Sequence, residues 1–208
     1  MRNLYIFPII HTDIELGSYG PVYRKYFIRK NGLAAWKRKW ATVRHLWDCI
    51  ETTILKMNLD YQKLRIYQDS LSVEMSADVM VNEMTARGSR NYLVIENLLK
   101  KGAQIMGTEN SVYLLEQYSR LQLGSETSID NNKEILKKRD AFIAQRIEST
   151  LRDDETGILF IGAEHDVSPF FSPDIKTGIV NCLPPQYQRM NDSPIKFKKY
   201  LRKNEPSK

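Results

Sequence analysis

Apolar residues along the 208-residue chain fall into two patterns. The first is short runs at 4–10, 63–67, 103–106, 158–161 and 178–183, the length of buried strands rather than of core helices. Pro8 sits in the first run, which places it near a strand end or on a sheet edge, where a missing N–H costs no ladder bond. The second is apolar residues recurring every three or four positions. Trp36, Trp40, Val43, Trp47, Ile50, Ile54 and Met57 form one such stripe and predict a helix, with Lys37, Arg38, Lys39 and Arg44 off the buried side. Three aromatics on a core stripe read first as a packing seam.

Helix start and stop signals divide the remainder. Ser18 can cap a helix over 19–29 with Pro21 in its first turn, and Asn31-Gly32 ends it. Further helices are predicted over 77–86, 91–100, 111–121 (Val112, Leu115 and Tyr118 on its apolar side) and 133–151, with a polar loop over 124–132. The 133–151 helix carries Leu136, Asp140, Ile143, Ile147 and Leu151 on one row, so a carboxylate stands in an otherwise apolar stripe. Strands separated by helices require crossover connections, which gives an α/β fold: a mainly parallel sheet flanked by helices. The expected organisation is one α/β domain over 1–190 and a flexible basic tail over 191–208.

Composition narrows the class without changing that picture. The chain is 42% hydrophobic and 27% charged, which excludes collagen-like, disordered and coiled-coil classes. Its two cysteines, Cys49 and Cys182, are too few for a disulfide framework and lack the CxxC spacing of a thiolate zinc site. Neither, on a helix and in a strand, looks like an activated nucleophile. No apolar run reaches the length of a membrane span, so a cytoplasmic protein with no membrane partner is expected. The P-loop, GxGxxG, HExxH and GxSxG signatures are absent.

Charge is unevenly placed. The net +6 resolves into eight basic residues in the acid-free stretch 16–47, five in the acid-free stretch 193–204, and a net −7 elsewhere. Basic runs attract phosphate backbones or acidic surfaces. Tyr23, Tyr26, Phe27, Phe197 and Tyr200 lie among them and could stack on bases.

The strand ends carry the chemistry. Parallel sheets bind ligands outside the carboxyl ends of their strands, and four predicted strands run into titratable groups: His11, Asp69, Glu109, and Glu164-His165-Asp166. If these strands are neighbours, two imidazoles and several carboxylates converge, a common donor set for a divalent metal with open positions. His11, Glu109 and His165 are the candidate ligands. Glu164 or Asp69 is the candidate general base, Arg139 a candidate anion stabiliser, and Asp140 a group that orients a ligand. Gly107 and Gly162 would let the chain turn as it leaves a strand and let a ligand approach closely.

The run LKKRDAFIAQRIESTLRDDETGILFIGAEHDV, with Arg139-Asp140 on the helix and Gly162–His165 as a Gly-x-x-His strand end, resembles the closing segment of TraB/Tiki-like proteins. Members of that superfamily have an earlier His motif after the first strand and an intervening glutamate, to which His11 and Glu109 could correspond. They include metal-dependent proteases, the pheromone-shutdown TraB proteins and the erythromycin esterase group. The resemblance implies a metal-dependent hydrolase acting on an anionic small molecule or a peptide. The alternative is a non-enzymatic module that binds nucleic acid or an acidic partner through 16–47 and 193–204.

Overall fold

The computed structural model describes residues 1–15, 20–122 and 129–183. The expected domain boundary at 190/191, the basic stretch 193–204 and the Ser18 cap lie outside the described residues. Five strands are present among the described residues: β1 (Arg2–Ile9), β2 (Leu64–Ser72), β3 (Gln104–Glu109), β4 (Thr156–Gly162) and β5 (Ile175–Ile179). They form one all-parallel sheet in the order β3-β2-β4-β1-β5. The helices are α1 (Gly20–Lys56), α2 (Ala77–Ala86), α3 (Arg90–Lys100), α4 (Ser111–Gln122) and α5 (Ile129–Thr150). The chain is thus an α/β protein, as the alternation of strand-like and helix-like segments required. No helix among the described residues is long and apolar enough to cross a membrane.

Strand periodicity divides the core between two faces. Phe7, Ile9, Leu64, Ile66, Ile158 and Phe160 face α1, α2 and α3, packing on Val43, Leu46, Trp47, Ile50, Val81 and Ile95. The alternate residues Leu4, Ile6, Tyr67, Leu159 and Ile161 face α5, through Ile143, Ile147 and Leu151. The stripe on α1 is a packing seam, with Trp36 and Trp47 buried. Of the three tryptophans, Trp40 alone stays half-buried.

Gly32 breaks α1 with a φ of 84° and ψ of 159°, outside the helical region, so the two expected helices are real arms joined at the expected glycine. The arms fold back on each other. In a straight helix Tyr23 and Lys39 would stand about 24 Å apart, yet Lys39 Nζ donates to Tyr23 Oη at 2.6 Å. The Tyr23 and Phe27 rings pack against Trp36 at 6.1 and 5.4 Å between centroids.

Several expected boundaries move. Strand β2 runs through Asp69 to Ser72, and β3 through Gly107 to Glu109. Gly107 is not a turn. A Cβ there would lie 2.7 Å from Ser72 O and 2.9 Å from Val73 Cα, so the missing side chain admits the neighbouring strand. Helix α5 begins at Ile129, inside the expected 124–132 loop, because extending an established helix costs little per added residue. Strand β5 begins at Ile175 rather than 178, with Arg2 gripping Asp174 at its entrance. On α4 the expected apolar side is wrong: Val112 and Leu115 are exposed and Leu114 is buried. That helix meets α5 through Tyr113 and Phe142, rings 6.4 Å apart, which turns Leu114 inward.

Pro8 keeps its expected place near a strand end. Ile6 O accepts from Val180 N, and Ile9 O from Ala163 N on the β4 side. Residue 8 therefore faces the β5 side, where pairing has already ended at Ile6.

A candidate metal centre at the strand ends

Strand β4 inserts between β1 and β2, so the carboxyl ends of β3, β2, β4 and β1 lie side by side. His11 follows β1, Asp69 lies in β2, Glu109 ends β3, and His165 follows β4. Helix α5 adds Arg139 and Asp140 from the same side of the sheet as Tyr67. The expected residues His11, Asp69, Glu109, Arg139, Asp140 and His165 thereby form one cluster.

Asp69 is the hub. Ser70, the next residue, has a φ of 66°, a left-handed conformation disfavoured for serine, and the β2–β3 register shifts between Gln68 and Ser72. The Asp69 side chain is wholly enclosed. Its Oδ1 accepts from Arg139 Nη2 at 2.8 Å and from Ser70 Oγ at 3.2 Å. Its Oδ2 accepts from the Gly162 N–H at 2.8 Å and from His11 Nε2 at 3.0 Å, with His165 Nε2 at 3.6 Å. Gly162 makes this convergence possible, since a Cβ there would lie 3.0 Å from Asp69 Oδ2 and 3.2 Å from His11 Nε2.

Each imidazole is oriented from behind by a carboxylate. His165 Nδ1 donates to Asp140 Oδ1, and Asp140 Oδ2 also accepts from the Asp166 N–H at 3.1 Å. His11 Nδ1 lies 3.5 Å from Glu15 Oε2. Glu15 is fixed in turn by the Thr12 N–H at 3.1 Å and by Ser89 Oγ at 3.0 Å. Both Nε2 atoms are consequently aimed at the same carboxylate oxygen. The α5 carboxylate that stood out in the sequence is explained: Asp140 is buried because it holds His165.

Arg139 compensates the remaining charge. Its Nε donates to Glu109 Oε2 at 3.1 Å, its Nη2 to Glu109 Oε1 and Asp69, and its Nη1 to Gln117 on α4. Burial pushes the Glu109 carboxyl above its ordinary value, against the pull of Arg139. Burial also acts to raise Asp69, but His165, His11 and Arg139 together hold it well below the carboxylate range. For His11, burial alone would lower the pKa, yet the Asp69 and Glu15 carboxylates override it and raise the imidazole to about 10.

Asp69, Glu109 and His165 each offer a ligand atom, and these atoms all lie within 4.8 Å of one another. Glu164 is half-buried and, among the described residues, forms no hydrogen bond or ion pair with the cluster. Two participants were missed from sequence. Glu15 carries a signal in hindsight, since the His11-Thr12-Asp13-Ile14-Glu15 spacing lets one turn bring its carboxylate behind the ring. Gln117 has none, because only the packing of α4 on α5 brings it to Arg139.

No protein-family model matches this chain, and no match was found among curated proteins or solved structures.

Proposed function

We propose that the protein is a metal-dependent hydrolase whose divalent ion is held by Asp69, Glu109 and His165, with His11, whose Nε2 meets the same Asp69 oxygen, as a further ligand. The observation that carries this reading is a deficit of positive charge. Four carboxylates with nearly enclosed side chains, Glu15, Asp69, Glu109 and Asp140, face one arginine and two imidazoles. Buried charges of one sign persist only when paired or when they coordinate a metal. The donor chemistry fits. With His165 Nδ1 bonded to Asp140, its Nε2 stands 3.6 Å from Asp69 Oδ2, and an imidazole nitrogen and a carboxylate oxygen so placed can share a divalent cation. Carboxylates behind ligating imidazoles, as Asp140 and Glu15 stand here, fix ring orientation and raise ligand basicity.

A divalent ion at this point would supply Lewis acidity, polarising a carbonyl or phosphoryl oxygen and bringing the ionisation of water toward neutral pH. The protein's own groups divide the remaining work. Asp69, with both oxygens committed and its carboxyl held low, suits a ligand better than a general base. Glu109, raised by burial, is the better proton acceptor of the two. Arg139 is a positioning residue that keeps Glu109 and Asp69 oriented. The motif order that resembles TraB/Tiki-like proteins is in keeping with hydrolysis.

The test is metal analysis of protein purified without chelator, beside His165→Ala, followed by ester, peptide and phosphodiester hydrolysis assays with added zinc, manganese or magnesium. The expected result is a bound metal that falls sharply in the variant, with hydrolysis lost on chelation and restored by metal. Absence of metal from both proteins together with no metal-restored hydrolysis would overturn the proposal.

A further inference from the structure

A second feature lies along α1, outside the carboxylate cluster. A cavity of about 550 Å³ is lined by Arg24, Trp36, Lys37, Trp40 and Arg44 among others. A neighbouring cavity of about 340 Å³ is lined by Thr12, Trp40, Arg44, Thr85 and Ser89 among others. The two share Trp40, Arg44 and Asp48 and so form one groove. Its inner end reaches Thr12, the residue after His11, and Ser89, which binds Glu15 behind the His11 ring.

The groove is cationic and aromatic, with unmet hydrogen-bonding capacity. Among the described residues, Arg24, Lys37 and Arg44 form no ion pair with a carboxylate, although Arg24 lies 5.9 Å from the Trp36 ring. Asp48, an acid on the groove wall, pairs with Arg90 at 3.1 Å, a guanidinium that also holds Glu51 at 2.5 Å. Thr12 is only 6% exposed, and among the described residues neither its hydroxyl nor that of Thr85 has a hydrogen-bond partner. Trp40, alone of the three tryptophans, is only half-buried, its ring edge-on to Trp36 at 6.4 Å between centroids.

We propose that this groove binds single-stranded nucleic acid, with phosphates on Arg24, Lys37 and Arg44 and a base against Trp40. Basic grooves with interspersed aromatic faces are how proteins hold single strands. A duplex keeps its bases stacked inside and offers none to a recessed ring. An acidic peptide would satisfy the cations but, unlike a nucleotide, need not bring a planar ring to Trp40. The inference goes beyond the hydrolase reading and does not depend on it, since binding needs no metal.

The test is fluorescence anisotropy of a labelled oligonucleotide of about 12 nucleotides with the full chain, in chelator, across a salt series. The same strand in duplex form and vesicles containing phosphatidylserine are run in parallel. Affinity should fall steeply with salt. Lys37→Glu and Arg44→Glu should each weaken binding and flatten the log–log salt slope by about 0.7 for each phosphate no longer neutralised. Trp40→Ala should weaken it about 5- to 100-fold, and His165→Ala should leave it unchanged. Lys37 and Arg44 are exposed, so their variants keep the test valid if Trp40→Ala does not fold. Binding unaffected by Lys37→Glu and Arg44→Glu, or tighter to duplex or to vesicles, would overturn the proposal. Loss of hydrolysis with binding intact would bear only on the metal reading.

Discussion

Replacing Arg139 by methionine removes the arginine that, among the described residues, compensates two enclosed carboxylates. The Arg139 side chain is 5% exposed, that of Asp69 1% and that of Glu109 0%. In the variant Asp69 retains His11 and the Gly162 N–H, whereas Glu109 loses both donors that Arg139 gives it. Breaking a buried ion pair on one side typically costs about 3–5 kcal/mol, and Arg139→Met should fall in that range in urea unfolding of metal-free protein at pH 8. The pH dependence gives a sharper test. Burial already raises Glu109, and a carboxyl raised in the folded state favours folding below its unfolded pKa and loses that contribution as pH rises through the folded one. Without Arg139 the shift grows, so the deficit should be largest at pH 8 and shrink toward pH 5 as Glu109 takes up a proton. Arg139→Met/Glu109→Gln should be less destabilised than the sum of the single variants, because the stranded charge is gone. A single-variant loss below about 1 kcal/mol, or a deficit flat from pH 5 to pH 8, would refute the account of Arg139 as the buried counter-charge.

Four further outcomes follow from the same cluster. In metal-free protein His11 should remain protonated through neutral pH and titrate near 10 by NMR. Its stabilising contribution should be complete below the ordinary histidine value near 6.5 and be lost as pH rises through about 10. Zinc added near pH 7.5 should therefore release a proton from His11, measurable by calorimetry in buffers of different ionisation enthalpy; zero release would contradict its role as a ligand. Asp140→Asn, which weakens the hold on His165 Nδ1, should lower metal affinity about 10- to 100-fold by chelator competition, and an unchanged affinity would remove His165 from the ligand set. Gly162→Ala forces a methyl against Asp69 Oδ2 and His11 Nε2 and should cost about 1–3 kcal/mol; a neutral result in thermal unfolding would show that the site has more slack than these distances allow.

The sequence alone was enough to show the α/β alternation and to single out titratable residues near the strand ends, though not where β2, β3, β5 and α5 begin or stop. Apolar runs and stripes report local burial, and the stop signal at Asn31-Gly32 is local in the same way. Asp140 was legible too, because a carboxylate in an apolar helical row must have a partner. What no local pattern contains is which strands are neighbours. Only the order β3-β2-β4-β1-β5 puts β4 between β1 and β2 so that His11 and His165 both reach Asp69, and only the packing of α4 and α5 on that sheet delivers Gln117 and Arg139. Gly107 shows the limit: a glycine read as a turn serves instead to admit a neighbouring strand, a requirement imposed by residues far away in the chain. The basic charge of α1 was visible as composition, whereas its fold-back at Gly32 and its groove toward Thr12 exist only once the arms and α3 pack together. Local sequence sets what each segment buries, and long-range contacts set which polar groups meet, because their convergence depends on packing that no single segment encodes.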